Sequence, residues 1–305
     1  MSWETALDRQ IHDYLPDLKW AADEPMAKHT SFRIGGPAKR MAFPKTREQL
    51  VVLMGFLQDA GVKPLLIGNG TNLLVADKGL DTVVIDTSAE LSHIELTDEG
   101  EIAADAGVSL AKLALFAWKN GLTGLEFAHG IPGSVGGAVC MNAGAYGGEM
   151  RQVVHSAVVL FPEEGIRTLT GEELAFSYRH SLLTDRPDAV VLRAVFTLKP
   201  GEPAAIREKM DDLMARRKAS QPLEYPSAGS TFKRPEGYYA AALIDQCGLK
   251  GLTVGGAQVS EKHAGFVINR GGATCADVLA LMAQVQQRVW EEKGVRLEPE
   301  VRVIH

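Results

Sequence analysis

Residues 129–148 read HGIPGSVGGAVCMNAGAYGG, twenty positions dominated by glycine and alanine with no Asp, Glu, Lys or Arg. Glycine costs backbone entropy on ordering, so such a run persists in a folded chain only where bare backbone is required. Two uses satisfy that requirement: close packing of one backbone on another, or close approach of a ligand to main-chain N–H groups. A P-loop would need G-x-x-x-x-G-K-[ST], and no lysine occurs between Lys119 and Lys199. A Rossmann fingerprint needs G-x-G-x-x-G directly after a strand, whereas Gly130, Gly133, Gly136 and Gly137 are spaced G-x-x-G-x-x-G-G after a loop. What remains is the anion nest, successive N–H groups that neutralise phosphate without a cation. A second such element stands at Gly68, Asn69, Gly70, Thr71 and Asn72. Two separated nests suit a diphosphate-bearing cofactor.

The rest of the chain narrows the partners. With 305 residues, 46% of them hydrophobic, it can bury a substantial core and has room for two domains. A formal charge of −6 without a long basic stripe argues against nucleic acid; the RRK at 216–218 suits at most a small anion. The first twenty residues carry charge throughout and lack a secretory pattern, and no apolar run nears the ~18 residues of a membrane span. The expected setting is therefore the cytoplasm, with no membrane partner. Cys140, Cys247 and Cys275 are odd in number and lack C-x-x-C spacing, so they read as small buried hydrophobes, and no metal site is expected.

Periodicity predicts mixed helices and strands. TREQLVVLMGFLQDAG opens with Thr46 and Gln49 at capping-box spacing and should be a helix stopped at Gly61. KPLLIG and LLVADKGLDTVVID should be strands flanking the GNGTN turn. A strand at EIAAD leads to a helix capped by Ser109 and ended near Gly121, and residues 189–198 read as a strand. KPGEP is the expected linker, placing a boundary near Lys199. Beyond it come a charged helix from Ala204, a Pro/Gly/Ser-rich stretch, a helix around YYAAALIDQCG, strands at VGGAQV and GFVIN, and an amphipathic helix ADVLALMAQVQQRVWEEKG.

GNGTNLLV, the glycine run, SYRHS, PSAGSTFKRP and LEPEV, in this order over roughly residues 25–304, resemble the UDP-N-acetylenolpyruvoylglucosamine reductase family. The resemblance implies an α+β fold: a vanillyl-alcohol-oxidase/PCMH-type FAD-binding domain of two α+β subdomains, then a C-terminal α+β substrate domain. Its expected division is an N-terminal helical extension over 1–24, the FAD domain over 25–199 (subdomains about 25–86 and 87–199), and the substrate domain over 200–305. It implies FAD as bound cofactor, NADPH as co-substrate, UDP-N-acetylglucosamine enolpyruvate as substrate, and a monomer. Hydride would travel from NADPH through the flavin to the methylene carbon of the enolpyruvyl ether.

By the same resemblance, the FAD pyrophosphate would lie between Gly68–Asn72 and a second wall made of Gly130, Pro132, Gly133, Ser134, Gly136 and Gly137. Arg179 would be the catalytic arginine, Ser230 the donor of a proton to the enolate carbon, and Glu300 the catalytic glutamate, with Glu298 a decoy. Tyr178, Arg217 and Lys233 would contact substrate. Arg234 stands where some members have Asn, and the tyrosine-bearing insertion that some members carry after SYR is missing, which places the chain in the shorter subclass. The glycine segments alone would equally suit an oxidase on the same scaffold or a non-catalytic flavin or nucleotide-sugar module. Arg179, Ser230 and Glu300 together favour the reductase.

Overall fold

The computed structural model describes residues 2–305, which group into two compact units. One comprises the chain up to Ala22 together with Arg40–Asn69 and Thr82–Ala215; the other comprises Asp23–Lys39, Gly70–Asp81 and Arg216–His305.

The first unit holds a five-stranded antiparallel sheet in the order Gly165–Thr170, Val154–Phe161, Val190–Phe196, Ile102–Asp105, Ile94–Leu96. Val190–Phe196 is the strand that β-branching predicted at 189–198, and burial along most of its length explains why it is apolar except at Arg193. The helix Leu110–Lys119 begins where Ser109 Oγ accepts the Lys112 N–H at 3.2 Å, satisfying one orphan donor of the first turn. Its Leu113 and Ala117 join Phe127, Phe161 and Phe196 in one core.

The helix Arg47–Asp59 forms for the predicted reasons. Thr46 Oγ1 accepts the Gln49 N–H at 3.2 Å, and Gly61, at φ +65°, ends it. Gln49 reaches back one residue further than a strict capping box, accepting the Lys45 N–H at 2.8 Å. Leu50, Leu53 and Leu57 bury against Leu7 and Ile11 of the helix Trp3–Tyr14. That helix is tied down by Asp8, which accepts from Arg40 Nη2 at 2.7 Å and from Trp20 Nε1 at 2.7 Å. A four-stranded sheet runs in the order Lys19–Pro25, Pro37–Phe43, Leu80–Asp86, Leu65–Ile67, and the chain passes from one unit to the other within its first three members.

In the second unit a three-stranded antiparallel sheet, Thr253–Val254, Ala257–Val259 and Val267–Asn269, accompanies the helix Cys275–Lys293. Thr274 and Asp277 form a reciprocal capping box, and Gly294, at φ +66°, closes the helix. Val278, Leu281, Val285 and Val289 face Leu243 and Ile244 of the helix Ala240–Gln246. One pairing departs from the local expectation. Leu73–Val75, which follows the GNGTN turn, lies parallel to Arg302–Ile304 at the end of the chain. All three residues of Leu73–Val75 are buried, so this strand takes its partner from the far end of the sequence rather than from Leu65–Ile67.

Candidate active site

The first unit brings part of the two glycine segments together. Asn69 Nδ2 donates to the Pro132 carbonyl at 2.8 Å, and a Cβ added at Gly68 would lie 1.9 Å from Ser134 Oγ. Ser134 is 2% exposed and precedes the short helix Val135–Cys140 without capping it. The run is sewn to the strand end at 106–108, where Val135 donates to the Val108 carbonyl and Gly136 to the Ala106 carbonyl, both at 2.8 Å.

The glycines divide by what surrounds them. Gly68 is demanded by packing against Ser134, and Gly136 is tightly packed, since an added Cβ would lie 3.0 Å from Ala106 Cβ. At Gly133 and Gly137 the nearest protein atom to an added Cβ would be 3.8 and 3.6 Å away, so no neighbouring side chain or backbone requires glycine there. Bare backbone kept where the protein itself leaves room is what a cofactor pressed against main-chain N–H groups would need, and these residues fit FAD in that respect. Gly130 sits half-buried in the loop before them.

GNGTN is shared between the units. Gly70, at φ +58°, has no space for a side chain, because a Cβ would lie 2.0 Å from the His29 carbonyl. Asn72 Nδ2 donates to the Glu300 carbonyl at 3.1 Å, so this amide supports the backbone of the carboxylate residue. Thr71 lies half-buried between them.

In the second unit the GSTFK and LEPEV segments run side by side. Glu300 N–H donates to the Thr231 carbonyl at 2.8 Å, Lys233 N–H donates to the Glu298 carbonyl at 2.8 Å, and Phe232 bridges Pro299. Thr231 is buried and its Oγ1 accepts the Val267 N–H at 3.0 Å, anchoring the pair to the sheet. Ser230 stands exposed at the edge of this ladder, next to Gly229 at φ +75°. Glu300 is half-buried, whereas Glu298 points outward with its side chain 75% exposed and pairs with Lys233 Nζ at 3.5 Å. Arg217 is buried in the last turn of the helix Pro203–Ser220 and donates to Gln221 Oε1 at 3.4 Å. Arg234 lies over the Tyr239 ring, 4.0 Å from its centroid.

Arg179 belongs to the first unit. Ser177 and His180 exchange both backbone hydrogen bonds, leaving Tyr178 and Arg179 as the corners of a tight turn. Arg179 has φ +55°, a conformation that disfavours long side chains, and its guanidinium stacks 5.3 Å from the centroid of the exposed Tyr178 ring. One residue that sequence reasoning left without a role underlies this turn. Asn142, 1% exposed within the glycine run, donates to the Ser177 carbonyl at 2.9 Å. The sequence offered only an asparagine amid glycine and alanine, and its burial and contacts are seen only in the structure.

Among the described residues no group of His, Cys, Asp and Glu could hold a metal, and no helix is long and apolar enough to cross a membrane. Cys247 and Cys275 are buried, and burial pushes both thiols up from their ordinary range.

A two-unit α+β protein with bare backbone at Gly133 and Gly137 on one unit and paired Ser230 and Glu300 segments on the other has the features of a flavin-dependent enzyme. Residues 38–170 match the family model described as FAD binding domain, and residues 221–304 match UDP-N-acetylenolpyruvoylglucosamine reductase, C-terminal domain. The chain is similar to the UDP-N-acetylenolpyruvoylglucosamine reductase of Caldanaerobacter subterraneus subsp. tengcongensis, 48% identical across 97% of each chain. It is also similar to that of Limosilactobacillus reuteri, 49% identical across 95% of this chain and 96% of the other. Among solved structures, the UDP-N-acetylenolpyruvylglucosamine reductase of Thermus caldophilus superposes with a TM-score of 0.80 at 36% identity, covering 94% of this chain and 99% of that one. The chain belongs to the UDP-N-acetylenolpyruvoylglucosamine reductase family, and the expected α+β fold with an FAD-binding domain is borne out.

Proposed function

We propose that this protein reduces the enolpyruvyl ether of UDP-N-acetylglucosamine enolpyruvate to UDP-N-acetylmuramate, a step of peptidoglycan precursor synthesis, with FAD as bound cofactor and NADPH as co-substrate. The observation that carries the reading is the backbone pairing of the Ser230 and Glu300 segments through the 2.8 Å Glu300–Thr231 hydrogen bond. It sets a hydroxyl and a carboxyl on neighbouring segments, although seventy residues separate them in the chain. FAD bound against Gly68, Asn69 and the Pro132–Gly137 backbone supplies hydride transfer from NADPH to the substrate's methylene carbon.

The chain's own residues handle charge and proton. Negative charge developing on the carbon beside the substrate carboxylate calls for a fixed cation, and the Arg179 guanidinium can hold the carboxylate oxygens in a fork. Ser230 Oγ gives its proton to that carbon, and the Glu300 carboxyl supports the acid role from the adjacent segment. Lys233 and the buried Arg217 serve the anionic diphosphate, and Tyr178 flanks Arg179. In this reading residues 25–199 hold the cofactor, residues 200–305 hold the substrate, and the enzyme works as a cytoplasmic monomer.

Purified protein should be yellow and should consume NADPH only when the enolpyruvyl substrate is present. A flavin-free preparation, or NADPH consumption indifferent to that substrate, overturns the assignment.

A further inference from the structure

We propose that the middle of the glycine run, Cys140 to Asn142, is a clamp that fixes the Arg179 turn, with Asn142 and Ser181 as positioning residues. The proposal rests on the assignment of Arg179 to substrate. Arg179 occupies the left-handed region at φ +55°, where a non-glycine residue is held only if its surroundings over-determine the backbone. Both ends of its turn are tied to the same short segment. Ahead of it, the Ser177 carbonyl accepts from Asn142 Nδ2 at 2.9 Å. Behind it, Ser181, fully buried, donates from Oγ to the Cys140 carbonyl at 2.7 Å, and Thr184 Oγ1 donates to the same carbonyl at 3.0 Å.

Asn142 is itself immobilised. Its Nδ2 also donates to Glu149 Oε2 at 2.9 Å, and its Oδ1 accepts the Arg151 N–H at 3.0 Å. Both amide protons and the carbonyl are therefore used, in a side chain 1% exposed, on a backbone at φ +43° that asparagine tolerates better than most residues. Aspartate matches asparagine in shape and in tolerance of that conformation but has no amide protons. It would turn the Ser177 contact from donor–acceptor to acceptor–acceptor and set a second carboxylate against Glu149. Nothing in these contacts touches Gly68, Asn69 or the Pro132–Gly137 segment, so the clamp can be damaged with the cofactor wall left intact.

The test is Asn142→Asp, alone and in an Arg179→Ala background, with the two half-reactions followed separately under anaerobic conditions. Flavin content and bleaching by NADPH should match the parent, while reoxidation by the enolpyruvyl substrate should slow about 10- to 100-fold, the scale of a misplaced group. In the Arg179→Ala background the substitution should add nothing. In the apoprotein, hydrogen–deuterium exchange should quicken over residues 174–184 and stay unchanged over residues 102–119. An unchanged second half-reaction, equal loss of both halves with flavin, or a full extra effect on top of Arg179→Ala overturns the clamp. If Arg179→Ala alone leaves the second half-reaction untouched, the assignment of Arg179 itself fails, a result distinct from an Arg179→Ala defect that Asn142→Asp does not reproduce. Should Asn142→Asp not fold, Ser181→Ala removes the other tether and is judged by the same measurements.

Discussion

Replacing Gly68 by alanine adds one methyl group at the point where the two glycine segments meet. That methyl would lie 1.9 Å from Ser134 Oγ and 2.9 Å from Ser134 Cβ. Against the oxygen it falls about 1.5 Å short of ordinary van der Waals separation, and rotating the hydroxyl away leaves the Cβ contact in place. Ser134 cannot simply withdraw, because it is 2% exposed, its carbonyl accepts the Ala138 N–H at 2.8 Å, and the next residue is bonded to Val108. The segments must therefore part, at an overpacking cost of about 1–3 kcal/mol. Borne by the cofactor-loaded state, that cost weakens FAD binding by about 5- to 150-fold. The assay is titration of apoprotein with FAD, followed by quenching of flavin fluorescence, together with thermal melts of both forms. Ser134→Ala removes the nearer atom and should recover part of the loss in the Gly68→Ala background. Ser134→Gly removes both atoms and should restore affinity to that of Ser134→Gly alone. Wild-type FAD affinity in Gly68→Ala, or no graded recovery across the pair, refutes the close approach of the two walls.

Ser230→Ala should leave bleaching of the flavin by NADPH intact and stop its reoxidation by substrate; equal loss of both steps would remove the hydroxyl from the proton-donor role. Thr274→Ala should cost about 1 kcal/mol of stability, read by denaturant unfolding, because Thr274 Oγ1 accepts the Asp277 N–H at 3.0 Å at the start of the nineteen-residue helix Cys275–Lys293. His263, packed edge-on 4.9 Å from Phe266, has its pKa pushed below the ordinary histidine value by burial. The unfolded chain then binds a proton that the native state resists, so stability should fall as pH drops below about 6.5, by up to about 1.4 kcal/mol per pH unit until the folded-state pKa is reached. His129, shifted the same way by burial, adds to that slope. Melts of wild type and His263→Gln between pH 7.5 and 5.5 should show a shallower decline in the variant, and equal slopes would contradict the burial argument.

What the sequence made legible was local. Thr46 and Ser109 announced helix starts because a cap and its partner lie within three residues, and Gly61 marked an end for the same reason, whereas the Thr274 cap and the Gly294 stop emerged only in the structure. The motifs that specify the site were legible as motifs, but their spatial relation was not. No local rule pairs Leu73–Val75 with Arg302–Ile304, or Thr231 with Glu300, because those contacts depend on a core assembled from distant segments. The glycine run shows the same limit in finer detail. Its composition announced bare backbone, yet only the neighbouring atoms separate Gly136, packed tightly against Ala106, from Gly133 and Gly137, which have room around them. Composition also hid a second task of the run, since Asn142 reads as one polar interruption until its three hydrogen bonds are seen. The run that leaves bare backbone at Gly133 and Gly137 continues directly into the Asn142 contact with the Arg179 turn.

Sequential anaerobic stopped-flow tests the reductase assignment most directly. Protein mixed with NADPH should lose its flavin absorbance, and a second mixing with UDP-N-acetylglucosamine enolpyruvate should return it in full, with one UDP-N-acetylmuramate formed per flavin. Colour that returns only on admitting oxygen, or that ignores the enolpyruvyl substrate, would contradict the assignment and point to an oxidase on the same scaffold.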